Sequence, residues 1–502
     1  VSEGAKKKEE KPRKFQAIRG TRDLLPPDTA LWTRVEQTAH EVFATYGFGE
    51  IRPPIFEPTD LFARAVGGDT DIVSKEMYTF IDRVENLQEP HDLASFGNFV
   101  HQVEKLFQTG QIPQTIGNEL GIDRLKKCWA RAEAQDGDNE NIYSMMVFKE
   151  SLQLGPQISL RPEATASVCR AYIEHNMQQF PQPVKLYYMG PMFRRERPQK
   201  GRYRQFYQIG AEILGGPDAP PIDAELIEML MTFFDKCGLQ GTELDINSIG
   251  HAADNCRRGY VAKLKAELEK AKNQLGADSQ RRIETNPLRV LDSKLEHEQP
   301  IIEKLPRIAD HLCDECKTHY AAVKRDLDLR GVAYRENWRL VRGLDYYMRT
   351  TFEITAKGLG SQNAVCGGGR YDGLVELLGG PPTKGIGFAI GEDRLILSLQ
   401  ESGKAPAALG RDVYIAWMGE KTYATAIRAA KTLRNAGLSV ELPPVEQKFG
   451  KALERASKLG ARHALILGED EITSGQWTLK TLADGSQQKL TEPALLEYLR
   501  KL

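Results

Sequence analysis

The densest positive charge in the chain lies between two segments rich in β-forming residues. Residues 194–204 contain six basic residues and one acidic residue, and Pro198 and Gly201 interrupt them. The flanking residues 184–189 and 203–214 have the composition of strands. Planar guanidinium groups bind phosphate oxygens in a bidentate manner. The pattern therefore predicts a hairpin whose basic loop contacts phosphate groups.

The strand after this loop carries a mostly polar face. Side chains two residues apart share one face of a strand. One face of this strand is therefore formed by Arg204, Phe206, Gln208, Gly210 and Glu212. A cation, an aromatic ring, an amide and a carboxylate in register suit a ligand with anionic, flat and cationic parts. The alternative interpretation is an ordinary solvent-facing side of an antiparallel sheet.

Two glycine-containing segments, residues 366–373 and 385–394, also combine Gly with β-forming residues. Glycine in a strand permits close approach of a ligand or of another backbone. Neither segment has the spacing of a P-loop or of a dinucleotide-binding fingerprint. The apolar run after Gly391 predicts a helix with Arg394 in its first turn, where a guanidinium and free amides can meet a phosphate. A lone surface arginine at a helix start is the alternative.

A third candidate segment, residues 342–347, places a cation, a carboxylate and two phenols within six residues. Arg342 and Asp345 supply the charges, and Tyr346 and Tyr347 supply the phenols. Such a mixture is rarely core filler, because charged side chains are almost never fully buried unless they are paired. The segment indicates a ligand site, with a solvated turn as the alternative.

Residues 311–319 contain a Cys-x2-Cys pair flanked by histidines, and these four side chains could supply zinc ligands. On one helix, His311 and Cys313 would point nearly opposite ways, whereas Cys316 and His319 could share a face with Cys313. An isolated cysteine pair also lacks the second pair typical of structural zinc sites. We therefore expect a structural helix here and no bound metal.

Composition places these candidates in a globular protein of several domains. The chain has 502 residues, of which 41% are hydrophobic and 27% charged, and its length gives a prior of roughly three domains. No apolar run approaches the ~18 residues of a membrane span, so we expect no membrane insertion. The net charge of −1, from 68 basic and 69 acidic residues, neither indicates nor excludes a nucleic-acid partner. Charge therefore has to be interpreted locally.

The cysteines and the first residues bear on location. Seven cysteines at irregular positions do not form a disulfide framework and favour a reducing cytoplasm. Residues 1–14 are rich in lysine and arginine but lack the apolar core of a signal peptide. We expect them to be a disordered basic tail of a cytoplasmic protein.

Periodicity divides the rest of the chain into a large first domain, residues 15–400, and a smaller second one. A helix is predicted between Asp28 and Gly47, and residues 51–57 are predicted to form a strand at an edge, because Pro53 and Pro54 cannot donate. Strands at 77–82 and 157–160 are predicted to pair across an insertion at about 83–156. A second, helical insertion is predicted at about 252–330. After a linker at 401–410, alternating strands and helices over 411–502 predict an α/β domain with a mainly parallel sheet.

Taken together, residues 15–502 resemble the histidyl-tRNA synthetases, a family of class II aminoacyl-tRNA synthetases. Three class motifs resemble residues 51–57 with the preceding helix, residues 192–206 and residues 385–394. Two runs, 340–347 and 368–373, are specific to the histidine enzymes. Three departures are Ala164 where the family usually has Gly, Asp393 where it usually has Glu, and the long 83–156 insertion.

The resemblance implies a fold and a reaction. The fold is α/β, with an α+β catalytic domain built on an antiparallel sheet flanked by helices, and a C-terminal α/β anticodon-binding domain. Histidine and ATP, with Mg²⁺, form histidyl-adenylate and pyrophosphate, and the histidyl group then passes to the 3′ end of tRNA(His). The first motif implies a homodimer.

The resemblance also assigns residues to the phosphate end of the site. Arg194 holds the α-phosphate opposite the catalytic Arg342, and Phe206 stacks on adenine. Arg394 binds the far phosphates with Arg202. Arg197 and Gln199 match positions that contact the acceptor end of the tRNA.

The remaining assigned residues surround histidine. Glu163, Thr165 and Gln208 are expected to hold the α-amino group. Glu212 and Tyr347 are expected to hydrogen-bond the two imidazole nitrogens, while Tyr346 and Tyr371 line the pocket. Specificity requires polar partners on both ring nitrogens, because a site built to hydrogen-bond its substrate rejects analogues that lack those groups.

Two other functions compete with this interpretation. One is a catalytically inactive, synthetase-like regulatory subunit of histidine biosynthesis, which would lack the C-terminal domain and degrade the histidine-specific runs. The other is a class II synthetase for threonine or proline, which would not require the run at 342–347.

Overall fold

The structure is a computed structural model that describes residues 15–68, 70–81, 93–108, 127, 130, 156–356, 363–403 and 410–500. The chain forms two compact units, one of residues 1–23 and 35–404 and the other of residues 24–34 and 405–502. The predicted basic tail, most of the 83–156 insertion and most of the linker lie outside the described residues.

The strands up to residue 391 are β1 (Gly49–Glu50), β2 (Phe56–Pro58), β3 (Tyr78–Ile81), β4 (Gln157–Leu160), β5 (Val184–Phe193), β6 (Gln205–Leu214), β7 (Glu243–Ser248), β8 (Arg335–Glu336), β9 (Met348–Thr355), β10 (Ala364–Arg370) and β11 (Gly385–Gly391). Among the described residues, the α-helices up to residue 401 are α1 (Thr29–Thr45), α2 (Thr59–Val66), α3 (Leu93–Gln108), α4 (Thr165–Glu174), α5 (Pro220–Cys237), α6 (Arg257–Lys270), α7 (Ala277–Thr285), α8 (Gln299–Ile302), α9 (Asp314–Leu329), α10 (Leu374–Leu377) and α11 (Glu392–Glu401).

A large sheet organises the first unit, with strands in the order β1-β5-β6-β11-β10-β9-β7-β8. Its inner pairs are antiparallel, and the short edge strands β1 and β8 are parallel to their neighbours. The middle of the sheet needs glycine. A Cβ at Gly368 would lie 2.4 Å from the Gly387 carbonyl oxygen and 2.5 Å from the Phe352 ring.

One face of the sheet is covered by aromatic packing. Tyr187, Ala211 and Phe388 occupy neighbouring strands in register. Phe43 of α1 packs on them, with ring centroids 5.4 Å from Tyr187 and 6.0 Å from Phe388, and also contacts Phe233 of α5. Because strand side chains alternate, Phe206, Gln208, Gly210 and Glu212 are directed to the opposite face. That face carries the candidate site.

The predicted pairing of the basic-loop hairpin and of the strands flanking the first insertion is confirmed. β5 and β6 are antiparallel over ten residues each, and β3 pairs antiparallel with β4. The predicted strand at 51–57 is wrong in its middle, because β1 ends at Glu50 and β2 begins at Phe56. Pro53 and Pro54 have no amide donors, and the Pro53 carbonyl oxygen accepts a hydrogen bond from Arg161 Nη1 at 2.8 Å instead of one from a neighbouring strand.

Helices α6 to α9 lie between β7 and β8, in the segment for which the helical insertion at about 252–330 is predicted. It has an apolar core of its own, which includes Tyr260, Leu264, Ile283, Ile302 and Cys316. Tyr347, just before β9, packs in the same cluster. The insertion therefore shares packed residues with the sheet segment that carries the predicted histidine-specific run.

The second unit contains β12 (Val413–Trp417), β13 (Val440–Glu441), β14 (His463–Leu467), β15 (Trp477–Thr481) and β16 (Gln487–Leu490), with α12 (Glu420–Asn435), α13 (Phe449–Lys458), α14 (Glu469–Ser474) and α15 (Glu492–Arg500). The strand order is β13-β12-β14-β15-β16. The first three strands are parallel, as predicted, but β15 and β16 add two antiparallel pairs that the sequence analysis did not include. The α/β fold class is confirmed for the chain.

Among the described residues, no helix is both long enough and apolar enough to cross a membrane.

Candidate active site

A pocket lies on the polar face of the large sheet. It brings together ten of the predicted site residues: Glu163, Thr165, Arg194, Arg202, Phe206, Gln208, Arg342, Tyr346, Tyr347 and Arg394. They come from the loop before α4, the basic-loop hairpin, the segment before β9 and the start of α11. Glu212 and Tyr371 are buried and connect to this set through Thr165.

The basic loop is positioned by backbone contacts. Arg194 donates its Nε to the Pro162 carbonyl oxygen at 2.9 Å, and its guanidinium carbon lies 5.2 Å from the centre of the Phe206 ring. Gln199 and Arg202 exchange two backbone hydrogen bonds in a tight turn. Arg197 and Gln199 are exposed and do not line the pocket. The loop thus presents some side chains to the pocket and others to solvent.

Arg394 lies in the first turn of α11, so this prediction is confirmed. Its guanidinium donates to the carbonyl oxygen of Ala364 at 2.9 Å and to that of Gly201 at 3.4 Å. These two contacts hold the side chain between β10 and the tip of the basic loop. Burial lowers the pKa of Arg394, and the nearby Arg202 adds to that effect.

Arg342 lies directly against β10. A Cβ at Gly367 would lie 2.0 Å from Arg342 Nη2, so only glycine leaves room for the guanidinium. Arg342 Nη1 donates to Glu353 Oε2 at 2.8 Å. Its buried Nε has no hydrogen-bond partner among the described residues. An unpaired donor on a cation that lines a pocket indicates a site for an anionic ligand.

The floor of the pocket at Thr165 is backed by a buried carboxylate, Glu212. Glu212 accepts hydrogen bonds from Thr165 Oγ1 at 2.7 Å and from Tyr371 Oη at 2.5 Å. Burial raises the pKa of Glu212 to about 8, and these two donors only partly oppose the rise. A carboxylate offers about four acceptor positions. Glu212 therefore has capacity for a further donor from a ligand.

Near Glu212, aromatic rings and one amide side chain form the rest of the site. The Tyr346 ring packs at a tilt against the Tyr347 ring, with centroids 4.7 Å apart, and edge-on against the Tyr371 ring, with centroids 5.8 Å apart. Burial raises the pKa of Tyr347 to about 12, so its hydroxyl keeps its proton and can donate. Gln208 Oε1 is buried without a partner among the described residues.

Glu163 also serves the local structure. Its two carboxylate oxygens accept the backbone amides of Thr165 and Ala166 at 2.7 and 3.0 Å, at the start of α4. These amides belong to the first turn of a helix, where backbone donors lack intrahelical partners. The contact fixes the loop that carries Thr165.

Sequence reasoning missed two residues that organise the pocket. Glu353 is the ion-pair partner of Arg342. The sequence feature that could have pointed to it is a single acidic residue within the strand-forming run of β9. Arg22 pairs with Asp393 at 2.8 Å, and Asp393 also accepts the Tyr207 amide at 2.8 Å. No local pattern connects residues 22 and 393.

The Cys-x2-Cys pair lies near different residues from those considered in the sequence. His319 Nε2 lies 3.8 Å from the nearest carboxylate oxygens of Asp218 and Asp223, and the His311 ring lies 5.6 Å from that of Tyr260. Cys313 and Cys316 instead lie beside His251 and Cys256. The predicted helix is present as α9, which begins directly after Cys313.

The first unit, a largely antiparallel sheet with an arginine-lined pocket on one face, has the fold of the class II aminoacyl-tRNA synthetases, as its match to a solved structure shows. The chain matches the crystal structure of apo S. aureus histidyl-tRNA synthetase with a TM-score of 0.69 and 32% identity, over 97% of this chain and 100% of that one. A family model described as histidyl-tRNA synthetase matches residues 132–395, and one described as anticodon binding domain matches residues 412–502.

Curated relatives extend the match. The histidine--tRNA ligase of Koribacter versatilis is 47% identical over 97% of this chain and 96% of its own length. That of Solibacter usitatus is 48% identical over 97% of this chain and 99% of its own length. The chain belongs to the histidyl-tRNA synthetase family.

Proposed function

We propose that this chain is an ATP-dependent histidine--tRNA ligase. A carboxylate oxygen of histidine attacks the α-phosphorus of ATP, the bond to the β-phosphate oxygen breaks, and pyrophosphate leaves. The 3′-terminal hydroxyl of tRNA(His) then attacks the adenylate carbonyl and releases AMP. The observation that carries the proposal is one pocket with arginines at one end and Thr165 and Tyr347 at the other, where the buried Glu212 lies directly behind Thr165.

The arginines serve the phosphate end. Arg194 and Arg342 stabilise charge on the α-phosphate, and the unpaired Nε of Arg342 supplies a free donor. Arg394 and Arg202 hold the far phosphates, and the Phe206 ring stacks on adenine. Attack of one anion on another depends mainly on positioning and on charge neutralisation. Fixed guanidinium groups supply both without a covalent nucleophile.

The polar floor selects histidine. Glu212 accepts a hydrogen bond from one imidazole nitrogen, and the protonated Tyr347 hydroxyl donates one to the other nitrogen. Tyr346 and Tyr371 enclose the ring. Gln208, with its unpaired Oε1, joins Glu163 and Thr165 at the α-amino group. An amino acid with an apolar side chain would leave these buried polar groups unpaired, at a cost of roughly 1–3 kcal/mol for each.

The acidic residues of the pocket fit Mg²⁺ that arrives with ATP. Glu196 and Glu353 both line the pocket beside arginines: Glu196 Oε2 lies 3.2 Å from Arg202 Nη1, and Glu353 Oε2 lies 2.8 Å from Arg342 Nη1. Hard oxygen ligands and phosphates are what Mg²⁺ prefers. Glu196 and Glu353 would hold the ion, which would neutralise phosphate charge.

The exposed residues and the second unit fit tRNA. Arg197 and Gln199 lie on the solvent side of the basic loop, where the acceptor end of tRNA would approach the pocket. Residues 412–502 match an anticodon binding domain.

The described cysteines are free thiols, in keeping with the reducing cytoplasm where tRNA is charged.

We propose a homodimer through the small sheet of β2, β4 and β3. Phe56, Leu160 and Tyr78 are in register, as are Pro58, Ile158 and Phe80 two residues away, so all six share one face. Phe56 and Phe80 on this face are exposed. An exposed apolar patch of this kind marks an interaction surface.

The double variant Phe56→Asp/Phe80→Asp is expected to convert a dimer into a monomer, because two buried charges would oppose association. Light scattering during size-exclusion chromatography measures the mass. Phe180→Asp, at another exposed phenylalanine, is the control and should leave the dimer intact. A monomeric parent protein, or a double variant that still dimerises, contradicts the proposed surface.

Amino-acid-dependent exchange between ATP and pyrophosphate tests the function. We expect histidine to stimulate exchange at least ~10⁴-fold more efficiently than threonine or proline, because the floor must pair both ring nitrogens. Stimulation by threonine or proline instead would reassign the substrate. No stimulation by any amino acid would favour the regulatory, catalytically inactive alternative, which the curated relatives do not favour.

A further inference from the structure

We propose that His251, Cys256, Cys313 and Cys316 bind a structural zinc ion. One ligand atom from each of these side chains lies within 4.8 Å of the corresponding atoms of the other three. Three thiols and one imidazole are a ligand set that Zn²⁺ uses in closed, four-coordinate structural sites. The cluster is separate from the pocket, since none of the four residues lines it.

Two of the distances lie close to the nitrogen–sulfur edge of a tetrahedral site. His251 Nδ1 lies 3.1 Å from Cys316 Sγ and 3.7 Å from Cys313 Sγ. With Zn–S bonds of about 2.3 Å and Zn–N bonds of about 2.05 Å, a tetrahedral ion separates nitrogen and sulfur by about 3.5 Å. Small adjustments of the side chains therefore suffice to place one ion among all four.

The backbone on both sides is shaped for this cluster. Gly250 has φ +62°, and a Cβ there would lie 2.6 Å from Cys256 Sγ, so glycine leaves space for the thiol. Cys256 directly precedes α6, and Cys313 directly precedes α9. Cys316 lies three residues further, in the first turn of α9, where residues three apart lie on adjacent positions of one helix face. Cys256 and Cys316 are buried.

The cluster joins the start of the helical insertion to its end. His251 and Cys256 lie where the chain leaves β7, and Cys313 and Cys316 lie where it begins the last helix before β8. Because all four ligands come from the protein, the ion has no open position for a substrate. The proposed role is therefore to fasten the insertion, and not to take part in chemistry.

Residues beside the proposed zinc ligands contact the segment that carries Tyr347. Arg349, at the start of β9, exchanges backbone hydrogen bonds with Ile249 and Gly250, at 2.9 and 2.8 Å. Arg257, next to Cys256, donates to the Tyr347 carbonyl oxygen at 2.5 Å. Loss of the ion would therefore free the segment that positions Tyr347, a consequence that rests on the proposed function.

Metal analysis of the purified full chain tests the site. After loading with zinc and dialysis, we expect about one zinc per chain by plasma mass spectrometry. Cys313→Ser/Cys316→Ser should bring the zinc content close to zero. Cys237→Ser, at a buried cysteine outside the cluster, is the matched control and should keep the zinc. His251→Cys should also keep it, because four thiolates form an equally good structural site.

Two measurements on the unaltered chain keep the proposal testable if the double variant does not fold. Cobalt in place of zinc should give the ligand-field spectrum of a tetrahedral cobalt–thiolate centre. A chelator that removes the ion should lower the unfolding temperature and expose three further thiols to titration. Because metal content and spectrum do not depend on catalysis, they fail independently of the exchange assay.

Zinc content near zero in the folded, reduced parent chain would overturn the proposal, as would equal zinc loss in the Cys237→Ser control. A disulfide between two of the three cluster cysteines in protein kept under reducing conditions would also overturn it. Stoichiometric iron in place of zinc would overturn the identity of the ion.

Discussion

Arg342→Ala is expected to lower histidine-dependent ATP–pyrophosphate exchange by about 10³-fold, while the protein stays folded. Removing one preorganised donor from a site of developing charge costs about 10²- to 10³-fold in rate, and Arg342 carries a full charge as well. Its guanidinium lies against Gly367 and is fixed by Glu353 at 2.8 Å, so no neighbour can take its place without moving.

The way in which the rate falls distinguishes this role from a structural one. Because the charge that Arg342 meets grows in the transition state, kcat should fall while KM for histidine changes little. Arg342→Lys should recover only part of the rate, because an ammonium group keeps the charge but lacks the planar fork. Arg325→Ala, at an exposed arginine on α9, is the matched control and should exchange normally.

Near-normal exchange by folded Arg342→Ala would show that Arg342 does not contact the reacting phosphate. A circular dichroism spectrum and an unfolding temperature close to those of the parent chain establish that the variant is folded. A large rise in KM for ATP with unchanged kcat would assign Arg342 to ground-state binding of the nucleotide instead.

Local periodicity was enough to predict the hairpin and the helix that carry the arginines proposed to bind phosphate. Alternation along β6 placed Phe206, Gln208 and Glu212 on one face, and the apolar run after Gly391 placed Arg394 at a helix start. These features depend on neighbours within one element, where side-chain direction follows from the backbone. The resemblance supplied the roles that periodicity could not.

Features that depend on distant pairing were not predictable in this way. Cys313 was compared with histidines within a few residues, whereas its neighbours in the structure are His251 and Cys256, near the other end of the helical insertion. The Arg342–Glu353 and Arg22–Asp393 pairs likewise join separate segments. The strand predicted at 51–57 is wrong for a different reason: the missing donors of Pro53 and Pro54 were interpreted as the mark of an edge strand, whereas in the structure they interrupt the strand between β1 and β2.

Glu212→Gln is expected to reduce kcat/KM for histidine by about 10- to 100-fold and, at the same time, to stabilise the protein. Above pH 8, where Glu212 is ionised, its hydrogen bond to the imidazole is one to a charged group, which contributes about 1.5–3 kcal/mol and sets the size of the loss in activity. Glutamine keeps an acceptor oxygen at nearly the same position, and the hydroxyls of Thr165 and Tyr371 can still pair with it. The variant should therefore fold.

The stability gain follows from the sign of the pKa shift. The folded-state pKa of Glu212 is about 8, above the ordinary glutamate value, so the folded protein binds more protons between about pH 4.5 and pH 8. Its free energy of unfolding therefore falls as pH rises through this window, by up to about 1.4 kcal/mol per pH unit. Glutamine does not ionise, so this loss is absent from the variant.

The difference in unfolding temperature between Glu212→Gln and the parent chain should accordingly grow from pH 5 to pH 8. Thermal unfolding followed by circular dichroism at several pH values measures it. Glu336→Gln, at a half-exposed glutamate paired with Lys324, is the control and should show no such growth. A difference that stays constant with pH would mean that Glu212 is already ionised at little cost. In that case the buried carboxylate would be stabilised by Thr165 and Tyr371, and its selectivity for imidazole would not be obtained at the expense of stability.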